Sequence, residues 1–471
     1  MKQLLQSITI ILIATTSVIA QNITTRAYFE ETNIILRKGA ITYGMEGAAM
    51  SIILPNDSTY TTYHGKRSNG EAIDPNKNWH IAGATNLFTS VIVLQLIEEE
   101  KLALTDTIGK YMDTKNMVNI SGSITVEELL KSTSGLNEVY SNGGTDVYKD
   151  IWDDRKRLWT PRDLLAYMPE PNQDKTWNYN NTNGYILGFL IEDVSGNSLA
   201  EEFENRILKP LNFDNAEITS GKSYDMNNLN GVYVKDDERS KWNHDSYLSS
   251  RGGNGALTAK SFDVAHFMRE LFNGNILDLE LVKAMLVKTE GSGQDRGSMM
   301  CAKKMTEYRG YQVSIVEVIT EDDDTMNWVG HAGSGINNIV AYHWLEKDFT
   351  IVISNNDVAT AMTQGALFFE LACYTVSVID NINDPVSVNK ITDEKVSVFP
   401  NPATEYITVQ MDSEIESIRI FDAYGKVVYY SNELNQSTAQ INLDSALQSG
   451  NYFMSIKHKN GVLTKRIAVL K

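Results

Sequence analysis

The stretch Trp79-His-Ile-Ala-Gly83-Ala-Thr-Asn86-Leu-Phe-Thr-Ser-Val-Ile-Val-Leu-Gln-Leu-Ile-Glu-Glu-Glu-Lys-Leu-Ala-Leu-Thr-Asp106 decides the fold. Its middle predicts a helix from near Thr85 to Glu100 that is apolar on most faces, and a helix of that kind belongs inside a large core rather than on its surface. The acidic run Glu98-Glu-Glu100 closes it, and Leu102-Ala-Leu104-Thr-Asp106 follows.

The rest of the chain supplies such a core. Its 471 residues are 42% apolar and 22% charged, with only 9 Pro, which is folded globular material of more than one domain. Lys plus Arg number 42 against 60 Asp plus Glu, a net charge of −18 that repels a phosphate backbone, so nucleic acid is not an expected partner. Two cysteines, Cys301 and Cys373, cannot build a disulfide framework or a CxxC metal site; they form either one bridge or two buried thiols. No cofactor is expected.

Lys2 followed by an apolar stretch to Ile19 and a small residue at Ala20 has the form of a secretory signal peptide over residues 1–20. Serines and threonines interrupt that stretch, so it is not a membrane span, and no transmembrane segment is expected in the mature chain. From about Arg26, helical patterns alternate with strand-like runs such as Ala48–Leu54 and Thr59–Tyr63, which flank a Pro-Asn-Asp turn at 55–57. The organisation is a mixed α/β domain over 26–378, a polar linker over 379–395 and a second domain over 396–471. That second domain consists of short alternating runs at even spacing, which predicts a small all-β sandwich. From Val396 onward seven acidic residues balance seven basic ones, which leaves the negative charge on the larger domain and the linker.

The tail resembles the C-terminal sorting domain of the type IX secretion system of Bacteroidota. The matching text is Phe399-Pro-Asn-Pro-Ala403, Ile420-Phe-Asp-Ala-Tyr-Gly-Lys426, Leu447-Gln-Ser-Gly-Asn-Tyr-Phe453 and Lys465-Arg-Ile-Ala-Val469, in order. The resemblance implies secretion, or attachment to the outer cell surface, with that secretion machinery as a partner of residues 396–471. On residue patterns alone, a β-sandwich that binds sugar or another protein is the alternative.

The larger domain resembles the serine β-lactamase and penicillin-binding-protein family, in the branch of class C β-lactamases, D-alanyl-D-alanine carboxypeptidases and esterases. Beyond Leu102–Asp106, the landmarks are Leu129-Leu-Lys-Ser-Thr-Ser-Gly-Leu136, with Ser132 where a His is frequent, and the Tyr-x-Asn motif Tyr179-Asn-Asn181. Gly255-Ala-Leu-Thr-Ala-Lys-Ser-Phe-Asp263 and the His-x-Gly motif His331-Ala-Gly333, followed by Ser334, complete them. The resemblance implies a mostly antiparallel sheet flanked by helices with an all-helical lobe, and it puts His331 on an edge of the sheet that lines the site.

In register, the family's nucleophilic serine falls on Gly83 and its lysine on Asn86. Glycine has nothing to attack a carbonyl with, and an asparagine amide neither takes up a proton near neutral pH nor supplies a charge to a neighbouring tyrosine. The only other Ser-x-x-Lys, Ser387-Val-Asn-Lys390, lies in the linker, and no Gly-x-Ser-x-Gly elbow occurs. The chain is therefore expected to be a silent homologue that binds a small-molecule or peptide ligand. The alternative is a residual hydrolase of ester, amide or D-amino-acid peptide substrates that directs water with Tyr179 or His331.

The ligand-binding candidates are Gly83, Asn86, Tyr179, Asn181, His331 and Ser334, with Gly333 as a retained motif residue. Gly83 is a helix start whose N–H is also available to an oxyanion or carboxylate. Asn86 meets Tyr179 or a water, and Tyr179 is expected to be protonated. Asn181 either contacts a substrate amide or caps a helix that begins at Thr182. The aromatic cluster Trp152, Trp159, Tyr167 and Trp177 either lines the cleft or packs a core, and Glu321–Asp324 reads as a hairpin tip. No metal site is expected.

Overall fold

The computed structural model describes residues 23–140, 147–172, 174–233, 244–299, 301–321, 323–382, 396–421, 427–443, 447–458 and 461–470. Residues 1–20, expected as a signal peptide, most of the linker and the Trp152 side chain lie outside the described residues. The chain divides into two compact units, one spanning Phe29–Ser377 and the other comprising the tail from Val378 together with the short segment that precedes Phe29.

In the large unit the Pro-Asn-Asp turn joins β1 (Gly47–Ile53) to β2 (Thr59–Gly65). A meander then follows of β3 (Gln294–Met299), β4 (Ala302–Arg309), β5 (Ser314–Thr320), β6 (Thr325–Ser334), β7 (Asn338–Trp344) and β8 (Phe349–Asn355). Together they make one eight-stranded sheet in the order β2-β1-β8-β7-β6-β5-β4-β3, antiparallel at every junction. Every residue of β1, β7 and β8 is buried, as expected for strands covered on both faces.

The alternation of side chains across the pleat sorts the two coverings. Trp328 and Tyr342 turn to one face and meet Phe368 of the helix Ala361–Val378, with ring centroids 5.6 and 5.1 Å away. His343 turns to the other face, where it stacks on Phe272 of the helix Ser261–Phe272. His331 pairs with Ala341 across the β6–β7 ladder, so it shares that second face. Tyr43 donates to Glu370 at 2.9 Å and so ties the N-terminal helix Thr25–Tyr43 to Ala361–Val378. The disulfide Cys301–Cys373 fastens the start of β4 to that same helix. It closes a separation of 72 residues, a loop for which loop-closure entropy gives about 4 kcal/mol.

The helix foreseen in the opening stretch spans Thr85–Glu98, and all its residues from Thr85 to Leu94 are buried. Phe88 stacks on Phe267 of Ser261–Phe272 at 3.6 Å between centroids, which joins the helical lobe to the sheet. Side chains such as Leu87, Phe88, Val91 and Ile92, all at most 1% exposed, each contribute on the order of 1.5–3 kcal/mol by leaving water. A small sheet of Trp79–His80, Leu257–Ala259 and Glu217–Ile218 fixes where this helix begins, with Ile81 N–H donating to the Leu257 carbonyl at 3.1 Å.

The tail unit is all β: β9 (Ser397–Phe399), β10 (Tyr406–Phe421), β11 (Val427–Asn442), β12 (Gly450–His458) and β13 (Gly461–Val469). Where the alternating runs of the tail predict short separate strands, residues 406–421 form a single long one. Register shifts between Gln410 and Ser417 bend β10, so that its first half pairs with β9 and its second half with β12, while β11 accompanies both. The sorting-motif residues hold one another. Asn401 Oδ1 accepts from Ala468 N–H at 2.8 Å, and Tyr452 Oη both receives from Gln448 N–H and donates to its carbonyl.

Candidate functional site

The start of the Thr85–Glu98 helix carries a locally costly backbone. Ala82, a buried non-glycine residue, sits at φ +46, a conformation worth roughly 1–3 kcal/mol of strain that persists where packing enforces it. Gly83 follows in a tight 3-10 turn, Ala82–Ala84. The packing responsible comes from β6. A Cβ on Gly333 would overlap the Ile81 carbonyl oxygen and lie 3.0 Å from the amide nitrogens of Gly83 and Ala84, so only glycine lets the strand close on the turn.

Gly83 itself is under no such constraint. A Cβ there would meet Tyr179 Oη at 3.4 Å, the Ala332 carbonyl at 3.7 Å and His331 Cε1 at 3.8 Å, all ordinary contacts, and its φ lies outside the left-handed region. The position faces Tyr179 and His331, and nothing projects from it.

Asn86, one turn on and fully buried, donates from Nδ2 to the Gly83 carbonyl and to Tyr179 Oη, both at 3.1 Å. Its Oδ1 is buried with no hydrogen-bond partner among the described residues and rests on Gly184, where a Cβ would overlap it. Because Tyr179 accepts from Asn86, its own proton is free to point away from Asn86. Burial pushes the Tyr179 phenol above its ordinary 10.0, against the opposing pull of Arg309, so it remains a donor at neutral pH. Arg309 lies 5.0 Å from the Tyr179 ring centre and pairs with Glu307 at 2.8 Å.

His331 is 2% exposed and its ring centre stands 5.9 Å from that of Tyr179. Burial, and after it the nearby Arg309 charge, push its pKa down to about 3, so the imidazole is neutral. Its Nδ1 lies 2.6 Å from the Ala332 carbonyl, which can only accept, so Nδ1 carries the proton. Nε2 is left as a buried acceptor with no partner among the described residues.

These residues surround a cleft of about 180 Å³ lined by Gly83, Tyr179, Asn181, Gly333 and Ser334 from the sequence reading, with Tyr247, Arg251 and Asn254 added. Asn86 and His331 stand behind its wall. Two expectations are corrected. β6 lies between β5 and β7 rather than on an edge, and it reaches the cleft through its C-terminal end. The helix beginning at Asn181 is capped by Asn180, whose Oδ1 accepts from Asn183 N–H at 3.2 Å, because residue 180 is the last with extended backbone. Of the two readings of the aromatic cluster, packing is the one Trp159 follows: it is buried under Arg157 and beside Tyr167 and does not line the cleft, whose aromatic residues are Tyr179 and Tyr247. The run from Glu321 does turn the β5–β6 hairpin, with Thr320 N–H donating to the Asp324 carbonyl; Asp322 lies outside the described residues.

Two cleft features were not foreseen. Arg251 is 5% exposed, and its guanidinium lies 4.4 and 4.2 Å from the ring centres of Tyr140 and Tyr247. Glu138 Oε2 holds Asn181 through both its backbone and side-chain nitrogens. The glycine-rich text around Asn254 was the one available signal for the first.

Residues 26–368 match the family model described as Beta-lactamase, and residues 397–470 match the one for a secretion system C-terminal sorting domain. A putative penicillin-binding protein of Bacillus subtilis is 24% identical over 229 residues, 48% of this chain and 53% of that protein. A teichoic acid D-alanine hydrolase of Staphylococcus aureus is 29% identical over 150 residues, 32% of this chain and 35% of that protein. The chain thus spans about half or less of these relatives. Among solved structures, a D-amino acid amidase from Ochrobactrum anthropi superposes with a TM-score of 0.60 at 16% identity, covering 75% of this chain and 99% of that one. A D-stereospecific amidohydrolase from a Streptomyces species gives 0.58 at 22% identity, over 70% and 94%. Both share the fold. The sorting domain marks the chain as secreted or attached at the cell surface, and among the described residues no helix is long and apolar enough to cross a membrane.

Proposed function

The chain belongs to the β-lactamase family, and from that premise we propose that it is a member without acyl-transfer chemistry, one that binds a small amide- or peptide-like ligand outside the cell. One observation carries this reading: position 83 faces Tyr179 and His331 with no side chain, although neither space nor backbone conformation demands glycine there. Asn86 reinforces it. The residue that meets Tyr179 from the helix is an uncharged amide, so nothing in that place draws off the phenol's proton, and Tyr179 stays a hydrogen-bond donor. The cleft, the two tyrosines and the polar walls then serve recognition. Two solved neighbours are named as a D-amino acid amidase and a D-stereospecific amidohydrolase, and an amide ligand is in keeping with those names.

A second reading has its own support. Nε2 of neutral His331 is a buried acceptor with no partner among the described residues, on a ring whose Cε1 lies 3.8 Å from where a Gly83 Cβ would stand, and in this reading it orients a water that replaces the absent hydroxyl as nucleophile. Exposure to a fluorophosphonate and a β-lactam, followed by intact-mass measurement, separates the readings when combined with turnover assays on a chromogenic cephalosporin and a nitrophenyl ester. The silent reading expects no adduct and no turnover. Turnover without adduct, lost in Tyr179→Phe, would establish the water route. The double variant Gly83→Ser with Asn86→Lys is expected to gain a stoichiometric adduct, and its failure to do so in a folded protein would reject the register on which both readings rest.

A further inference from the structure

Asn181 has an unusual polarity for a residue that lines the cleft. Its backbone N–H and its Nδ2 both donate to Glu138 Oε2, at 2.8 and 2.9 Å. A carboxylate oxygen bound to that backbone N–H acts as acceptor, so the side-chain atom turned toward it is nitrogen, and the network fixes the orientation of the amide. The pole left for the cleft is therefore the carbonyl oxygen Oδ1, which no hydrogen bond among the described residues engages.

Asn254 has the opposite polarity. It is 1% exposed, its Oδ1 accepts from Gly252 N–H at 3.3 Å, and its Nδ2 is buried with no partner among the described residues. It packs on Gly184, where a Cβ would stand 2.9 Å from Asn254 Cβ, and Gly184 lies one helical turn after Asn181. An acceptor under a carboxylate and an orphaned donor thus share one cleft of about 180 Å³, below the 300–1,000 Å³ of a drug-sized site.

We propose that this cleft selects a ligand with a free, protonated amine beside a carbonyl group, the ammonium donating to Asn181 Oδ1 within the field of Glu138 and the carbonyl oxygen accepting from Asn254 Nδ2. The inference rests on the binding reading above and narrows its ligand to unblocked aminoacyl compounds. An N-acylated compound has lost the charge, and it turns its own carbonyl oxygen toward an oxygen and a carboxylate. Among the described residues, the charged groups around the ammonium are Glu138, Arg251 from the segment that carries Asn254, and, beside Tyr179, Arg309 with its partner Glu307; Tyr179, Tyr247 and the neutral His331 are the other ionisable groups there.

The test uses the full chain with two probes, alanine amide and N-acetylalanine amide in both hands, titrated by calorimetry or ligand-observed NMR. At pH 6.5 the free amine is expected to bind at least about tenfold more tightly, the scale of one charge-assisted hydrogen bond. That preference is expected to fade as pH passes the amine's own pKa at about 8, while the acetylated probe shows no such change. Glu138→Gln keeps an acceptor for Asn181 and removes only the charge, and it is expected to cut the preference to about threefold or less. Equal or tighter binding of the acetylated probe overturns the proposal, as does a preference unmoved in Glu138→Gln or a folded protein that binds neither probe. Should alanine amide be hydrolysed, the silent reading fails on its own, and the ratio of rates for the two probes then tests this selectivity.

Discussion

Two glycines meet at the mouth of the cleft, and they are there for different reasons. Gly333, on the strand side, is demanded by packing: the fold closes on it so tightly that a methyl group would enter the backbone of the opposing turn. Gly83, on the helix side, stands in ordinary space with ordinary backbone. The strand side therefore keeps its motif because the architecture needs it, whereas the helix side is free to vary without cost to the fold. A pattern of matching motifs can thus report architecture faithfully while one unconstrained position decides the chemistry.

The largest effect expected from breaking this contrast is in Gly333→Ala. Its Cβ would press on rigid backbone rather than on a side chain that could swing aside, and the cost is expected to be about 3 kcal/mol or more, measured by urea unfolding. A folded variant that lost less than about 1 kcal/mol would mean that the turn gives way easily and that the two glycines are alike.

Acid sharpens the comparison from the strand side. The native pKa of His331 is near 3 and its ordinary value is 6.5, so between those limits the unfolded chain binds a proton that the native state does not. Stability is therefore full above pH 6.5 and falls as the pH is lowered, by about 1.4 kcal/mol per pH unit from this residue alone. His80 and His343, buried and pushed down to about 3 and about 4, act in the same direction. Denaturation of His331→Gln at pH 6.5, 5.5 and 4.5 is expected to show a slope shallower by that one-residue amount. An unchanged slope would mean that His331 is already protonated in the native state.

How much of this was legible in the sequence follows from the range of each signal. The Thr85–Glu98 helix could be read because its apolar run is continuous, and β1 and β2 because a Pro-Asn-Asp turn separates them. The order of motifs carried the sheet. The Cys301–Cys373 bridge was left open because its partners are 72 residues apart and lie on different elements. The bent strand β10 read as two strands because register shifts interrupt its alternation near Gln410. In the cleft, Gly83, Tyr179, Asn181 and Ser334 could be placed by motif, but the polarity of Asn181 could not, since it is set by Glu138, 43 residues earlier in the chain.

The smallest effect is also the one that bears most directly on Gly83. If neither its φ nor its surroundings require glycine, then Gly83→Ala removes conformational freedom from the unfolded chain and costs the native state nothing, a gain of about 0.4–1 kcal/mol. The added methyl would sit at contact distance from Tyr179 Oη and His331 Cε1 and displace neither, so Asn86 would keep its bonds to Gly83's carbonyl position and to Tyr179. The expected outcome is a small upward shift in the unfolding midpoint at unchanged denaturant slope. A loss of more than about 1 kcal/mol would show that glycine at 83 is a structural necessity after all, and the absent side chain would no longer speak for a change of function.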